Sequence, residues 1–172
     1  MRVNLYLALG FQGCYLNPEG TFFVGEEESS RIKEKVRSLI EHPKDGDILY
    51  IHQMIRRADD SYFQHEPTSC IVGHADILNP HGVSLLGVNR IVSPRPNLAA
   101  HTAFRTALRR HDIQKIFILG AEAHQSVFLT AATLKELDYD VVVLADYVGS
   151  RDPYLRTTAL SMLSGTAGVE VL

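Results

Sequence analysis

The chain has 172 residues, 45% of them hydrophobic, 22% charged and 8% aromatic, which is the make-up of one globular domain (1–172) rather than a disordered or fibrous chain. Seventeen Lys plus Arg against twenty Asp plus Glu give a net charge of −3 with no basic stripe, so no nucleic-acid partner is expected. The N-terminal apolar run in MRVNLYLALGFQG, about seven residues long, is too short for a signal-peptide core or a membrane span, so a cytoplasmic protein with no membrane partner is expected.

Taken in chain order, strand-like apolar runs lie at 3–9, 47–52, 88–92, 115–119, 140–145 and 169–172. Most are continuous rather than alternating, as strands covered on both faces should be. Helical patterns fall between them. In SSRIKEKVRSLIEH, Ile32, Val36, Leu39 and Ile40 form one stripe, with Ser29 or Ser30 as the N-cap. Residues 98–111 place Ala100, Phe104, Ala107 and Leu108 on a stripe, and 124–137 do the same with Val127, Thr130, Ala131, Leu134 and Leu137. Near the C-terminus, Asp152 is a good cap, Pro153 a good first helical residue and Gly165 a stop.

This alternation predicts a three-layer α/β/α doubly wound domain with a six-stranded, mainly parallel sheet. Sites in such folds form at the strand carboxyl ends. Those ends are Gly10–Cys14, His52–Ile55, Ser93–Arg95, Gly120–Ser126 and Asp146–Ser150. Residues 53–87, rich in Pro, Gly and polar clusters, break the alternation and read as a functional or interface segment.

Several residues could carry chemistry. In LGAEAHQSVFLTAATL (119–134) a strand, a tight turn and a helix would display Ser126 at a helix mouth, as a nucleophile or as an ordinary first-turn serine. His52 at a strand end is a candidate base, set against a simple hydrogen-bonded histidine, and Glu122 and His124 are candidate bases or substrate contacts, set against polar turn residues at a subunit interface. His74, Asp76 and His81 in GHADILNPH imitate a metal cluster but match no ligand spacing, so a solvated loop is preferred. Cys14 and Cys70 are the only cysteines, far apart and without CxxC spacing, which predicts no disulfide and a reducing compartment. Cys14 then reads as a small buried free cysteine or a reactive thiol at the active edge.

Two stretches resemble the isochorismatase-like, or cysteine hydrolase, superfamily. LGFQGCYLNPEG (9–20) is similar to its opening motif through Gln12, Tyr15, Pro18, Glu19 and Gly20, and residues 118–153 are similar to its nucleophile turn, helix, strand and Asp-Ala-x-x-Ser segment. EPTSCIVG (66–73) is a weaker match, with Ser69 in place of a histidine. The resemblance implies an Asp base, a Lys and a Cys nucleophile at the strand ends. Those positions fall on Gly10, near Ser93 with Arg95 as the nearest cation, and on Ser126. It also implies a non-proline cis peptide at Ala121–Glu122 and, in nicotinamidase-type members, a metal site. At the metal positions stand Gln53 and Ile55, followed by Asp59 or Asp60, so no metal and no cofactor are expected.

The expectation is therefore an isochorismatase-like fold with a degenerate triad, a pseudoenzyme or a member with altered chemistry. Gln12, Gln53, Arg95, Glu122 and His124 would line a strand-end cleft open to a small molecule. Two alternatives stand beside it. One is a hydrolase of a small amide or related C–N or ether substrate that uses Ser126 with a His base, and the other is an oligomeric binding or interaction module. A homo-oligomer is expected from the resemblance.

Overall fold

The computed structural model describes residues 2–61, 70–74 and 78–172. Six strands form one sheet: β1 (Val3–Leu9), β2 (Ile48–Met54), β3 (Asn89–Ser93), β4 (Ile113–Gly120), β5 (Val141–Val148) and β6 (Glu170–Val171). Their order is β3-β2-β1-β4-β5-β6 and every pairing is parallel. The predicted α/β fold is thus present, and every predicted strand is found with its ends moved by at most a few residues. The chain leaves β1 towards one edge through β2 and β3, then returns to its other side with β4. The switch point of the sheet therefore lies between β1 and β4, at Gly10 and Gly120, where a doubly wound sheet ordinarily opens a crevice.

Alternate residues of the central strands feed two cores. Leu5, Leu7, Leu9, Ile116, Ile118, Val141 and Val143 pack against α3 (Thr102–Leu108), α4 (Phe128–Glu136) and α5 (Pro153–Gly165). On the other face, Ala8, Ile51 and Leu119 pack against α1 (Gly13–Leu16), α2 (Glu26–Glu41) and the segments around Phe11, Phe22 and Cys70. Among the described residues three helices cover one face, and α2 is the one long helix on the other.

The helix boundaries correct the sequence reading in three places. Helix α2 starts at Glu26 behind Gly25 rather than at Ser29 or Ser30, with Glu26, Glu27 and Glu28 complementing the positive end of its dipole. Ser29 lies buried inside the first turn, where its hydroxyl donates to the Leu16 carbonyl at 2.7 Å. The pattern at 98–111 is split into a 3-10 turn (Leu98–Ala100) and α3 by His101, whose backbone is extended. The helix expected from 124 begins with a π-type turn, Ala123–Val127, before α4. At α5, Asp152 caps Tyr154 and Leu155 and Pro153 opens the helix, as predicted.

The largest correction concerns the cysteines. Cys14 and Cys70, 56 residues apart, form a disulfide with their Cα atoms 6.0 Å apart, and both are fully buried. Cys14 is neither a free cysteine nor a reactive thiol, and the cysteine argument for a reducing compartment loses its premise. The bridge ties α1 to the segment after the second strand, where Arg56 and Ile71 form an isolated parallel bridge. Ser69 and Asp76 lie outside the described residues. Among the described residues no helix is long and apolar enough to cross a membrane.

Candidate functional site

At the switch point the two strand ends touch backbone to backbone. Gly10 has φ +57°, and a Cβ there would lie 2.1 Å from the Ala121 carbonyl oxygen and 3.3 Å from the Tyr15 ring. Gly120, at φ +115°, would place a Cβ 2.0 Å from the Leu9 carbonyl oxygen. The Ala121 amide donates to that same Leu9 oxygen at 2.9 Å, locking the turn onto β1. The Ala121–Glu122 peptide is cis, as the resemblance implies. Gly10 thus lacks a carboxylate and also lacks room for any side chain.

Ser126 sits in the π-type turn, fully buried, and among the described residues its hydroxyl has no hydrogen-bond partner. It caps neither the turn nor α4. His52, also fully buried, pairs instead with Ser93, Nε2 to Oγ at 2.8 Å. Because the Ser93 hydroxyl donates to the Arg95 carbonyl at 2.7 Å, the Nε2–H of His52 must be the donor in that pair. This leaves Nδ1 as the basic nitrogen, buried and without a partner among the described residues. Desolvation first, and nearby His101 second, push the His52 pKa down to about 3. His52 is therefore neutral at physiological pH and a feeble proton acceptor, unlike the near-neutral base pictured from its residue type.

Glu122 is the buried acid of the site. Its Oε1 accepts from the Ser150 hydroxyl and from the Arg151 amide at 3.1 Å, and His124 Nδ1 lies 3.5 Å away. Arg151 Nε is 4.0 Å from Oε2. Burial raises the carboxyl above its ordinary 4.5, against the opposing pull of Ser150, His124 and Arg151. A folded carboxyl that keeps its proton to higher pH than the unfolded one costs stability as pH rises above 4.5. Glu122→Gln is expected to fold and to flatten that decline, which urea midpoints between pH 4.5 and 7 would measure.

The space beside Glu122 is narrow. Phe22 lies between two guanidinium groups, Arg151 at 4.9 Å and Arg56 at 5.8 Å from its ring centroid, and stacks on Tyr15 at 5.6 Å. With Met54, Glu122 and Gln125 these side chains leave a void of about 10 Å³, room for one water, and Ser126 does not line it.

The other expected contacts serve the backbone. Gln12, fully buried, donates to the Met54 carbonyl at 2.9 Å and accepts from its amide at 2.6 Å, acting as one more rung between β1 and β2. The Gln53 amide donates to the Phe11 carbonyl and to Asn79 Oδ1, each at 3.2 Å. Arg95 is exposed and pairs with Asp60, while Asp59 pairs with Arg57. His74 and His81 share a hollow with Glu19, and His81 Nε2 lies 3.2 Å from Glu19. Among the described residues no three His, Cys, Asp or Glu side chains come together to hold a metal.

Of the expected site residues, the structure brings together Glu122 and His124 in one turn, and His52 with Ser93 at the next strand ends. Phe22, Arg56 and Arg151 were not foreseen. They stand in turns without periodicity, and only the match of Ser150 to the Asp-Ala-x-x-Ser segment pointed to their neighbourhood.

Comparison with known proteins gives a consistent picture. The Isochorismatase domain model matches residues 11–172. Among curated proteins none matches the chain significantly. Among solved structures, the nicotinamidase PncA from Bacillus subtilis superposes with a TM-score of 0.85 at 20% identity, covering 99% of both chains. An isochorismatase-like hydrolase from Alkaliphilus metalliredigens gives 0.82 at 17% identity, covering 99% of this chain and 92% of the other. PnC1 from L. infantum, solved in complex with nicotinate, gives 0.80 at 18% identity with the same coverage. At these identities the likeness shows the fold.

Proposed function

This chain belongs to the isochorismatase family, and we propose that within it the protein is a non-hydrolytic member, its strand-end cleft closed by its own side chains. The observation that carries this reading is Gly10. The place where the family resemblance puts a base is occupied by the Ala121 carbonyl oxygen, so the role is lost in the backbone and not only in the side chain.

Two further facts support it. Ser126 is buried with a hydroxyl that has no partner among the described residues, and the candidate base His52 is bonded to Ser93 and neutral down to about pH 3. A serine hydroxyl needs an adjacent base to become a nucleophile, and an oxyanion pocket needs space for the reacting carbon. The void beside Glu122, in the same turn as Ser126, is about 10 Å³, too small for a reacting amide.

The experiment is direct. Purified protein is incubated with nicotinamide and with pyrazinamide, with and without added divalent zinc, iron or manganese, and ammonia release is followed. The expected result is no release above the buffer rate. Turnover on the order of 1 per second or faster, within the range of ordinary enzymes, overturns the proposal. A fluorophosphonate probe distinguishes the serine-hydrolase alternative: labelling of Ser126 in folded protein, abolished by Ser126→Ala, would establish it in place of this one.

A further inference from the structure

On the sheet face that α2 covers, away from the strand carboxyl ends, a hollow of about 140 Å³ opens under the C-terminal half of that helix. It lies between the 42–47 turn and the first halves of β1 and β2. Its floor is apolar, built from Leu39 of α2, Leu49 of β2 and the ring of Tyr6. Tyr6 is stacked on Phe117, with centroids 5.0 Å apart and planes 15° from parallel, so its ring is held in place.

The hollow also carries charge. Lys35 and Lys44 line it, and among the described residues neither ammonium forms an ion pair. Lys35 instead hangs over the Tyr147 ring, 5.2 Å from its centroid. The one carboxylate in the lining, Asp47, accepts from Asn4 Nδ2 at 3.2 Å. Burial, and then the charge of Asp47, hold the Tyr6 phenol above its ordinary pKa of 10, so it remains a neutral hydroxyl donor.

An apolar floor and two unpaired ammonium groups set different demands. A ringless anion would leave the floor wet and would be screened by salt. A neutral ring would leave both ammonium groups unpaired. A flat ring bearing one negative group meets both demands, and a cavity of about 150 Å³ is known to hold a benzene ring. We propose that this hollow is a binding site for a small planar aromatic anion of the benzoate class. The proposal is independent of whether the strand-end cleft is catalytic.

The test is an amide chemical-shift titration of the intact protein with three probes: benzoate, toluene as the neutral ring, and inorganic phosphate as the ringless anion. Saturable benzoate shifts are expected at Tyr6, Leu39 and Leu49, with a dissociation constant on the order of a millimolar or below. Toluene and phosphate should each bind at least about tenfold more weakly, the step that one lost charge or apolar contact produces. The double variant Lys35→Gln/Lys44→Gln, altering two partly or fully exposed side chains, should weaken benzoate by a similar factor while lowering the thermal midpoint by no more than about a few degrees, the share of the Lys35–Tyr147 contact. Benzoate shifts that do not saturate, shifts centred on Met54, Glu122 and Gln125 instead, or equal affinity for toluene would each overturn the proposal.

Discussion

Gly10→Asp, the substitution that would supply the family's base, is expected to unfold the protein or leave it barely stable, and to restore no amide hydrolysis. The Cβ alone would lie 2.1 Å from a backbone oxygen, in a backbone conformation with φ +57° that L-residues rarely adopt. A left-handed conformation costs a non-glycine residue roughly 1–2 kcal/mol, and forcing atoms into a filled core costs roughly 1–3 kcal/mol or more. Together these reach about 4 kcal/mol, a large share of the roughly 5–15 kcal/mol that holds a domain folded. Because the Cβ is the source of the clash, Gly10→Ala should carry most of the same cost. Urea unfolding of both variants measures this, and a stable Gly10→Asp protein that releases ammonia from nicotinamide would refute it.

Acidification is expected to expose His52 as a major weak point. The unfolded chain takes up a proton on this side chain near pH 6.5, whereas the folded chain refuses it until about pH 3. Its contribution is therefore neutral above pH 6.5, and stability falls progressively as pH drops through that interval. The limiting loss is on the order of 5 kcal/mol by pH 3, at about 1.4 kcal/mol for each pH unit between the two values. His52→Leu should remove this part of the acid lability, since the Ser93 hydroxyl still donates to the Arg95 carbonyl at 2.7 Å without it. Urea midpoints of the two proteins should converge or cross on going from pH 7 to pH 4. Parallel pH profiles would sink the idea, as would an imidazole NMR signal of folded His52 titrating near pH 6.5.

Much of the architecture was legible because its physics is local. Parallel strands buried on both faces read as unbroken apolar runs, and the Asp152-Pro153 pair announces the start of α5 by what each residue can and cannot hydrogen-bond. Ser29 misled for a physical reason as well: a serine near a helix start looks like a cap, but its hydroxyl serves the Leu16 carbonyl, and the helix begins earlier behind Gly25. The disulfide was out of reach because 56 residues of separation carry no information about a 6.0 Å Cα distance.

The candidate site divides in the same way. The turn at 120–126 and its cis peptide followed from motif resemblance. The plug of Phe22 between Arg56 and Arg151 did not, since a ring and two cations drawn from three separate turns leave no periodic trace in a single sequence. Gln12 and Gln53 were assigned to a ligand by the same resemblance. Their amides are spent chiefly on main-chain groups, a use that only three-dimensional geometry exposes.

The contact between Gly10 and Ala121 makes position 10 and the 120–122 turn a single steric unit. No residue with a side chain fits at position 10 while the Ala121 carbonyl oxygen stands 2.1 Å from where its Cβ would lie. A single substitution there is therefore destabilising whatever side chain it introduces, and only a second change that moves the turn could relieve it. Position 10 is expected to accept glycine alone when every residue is tried there one at a time.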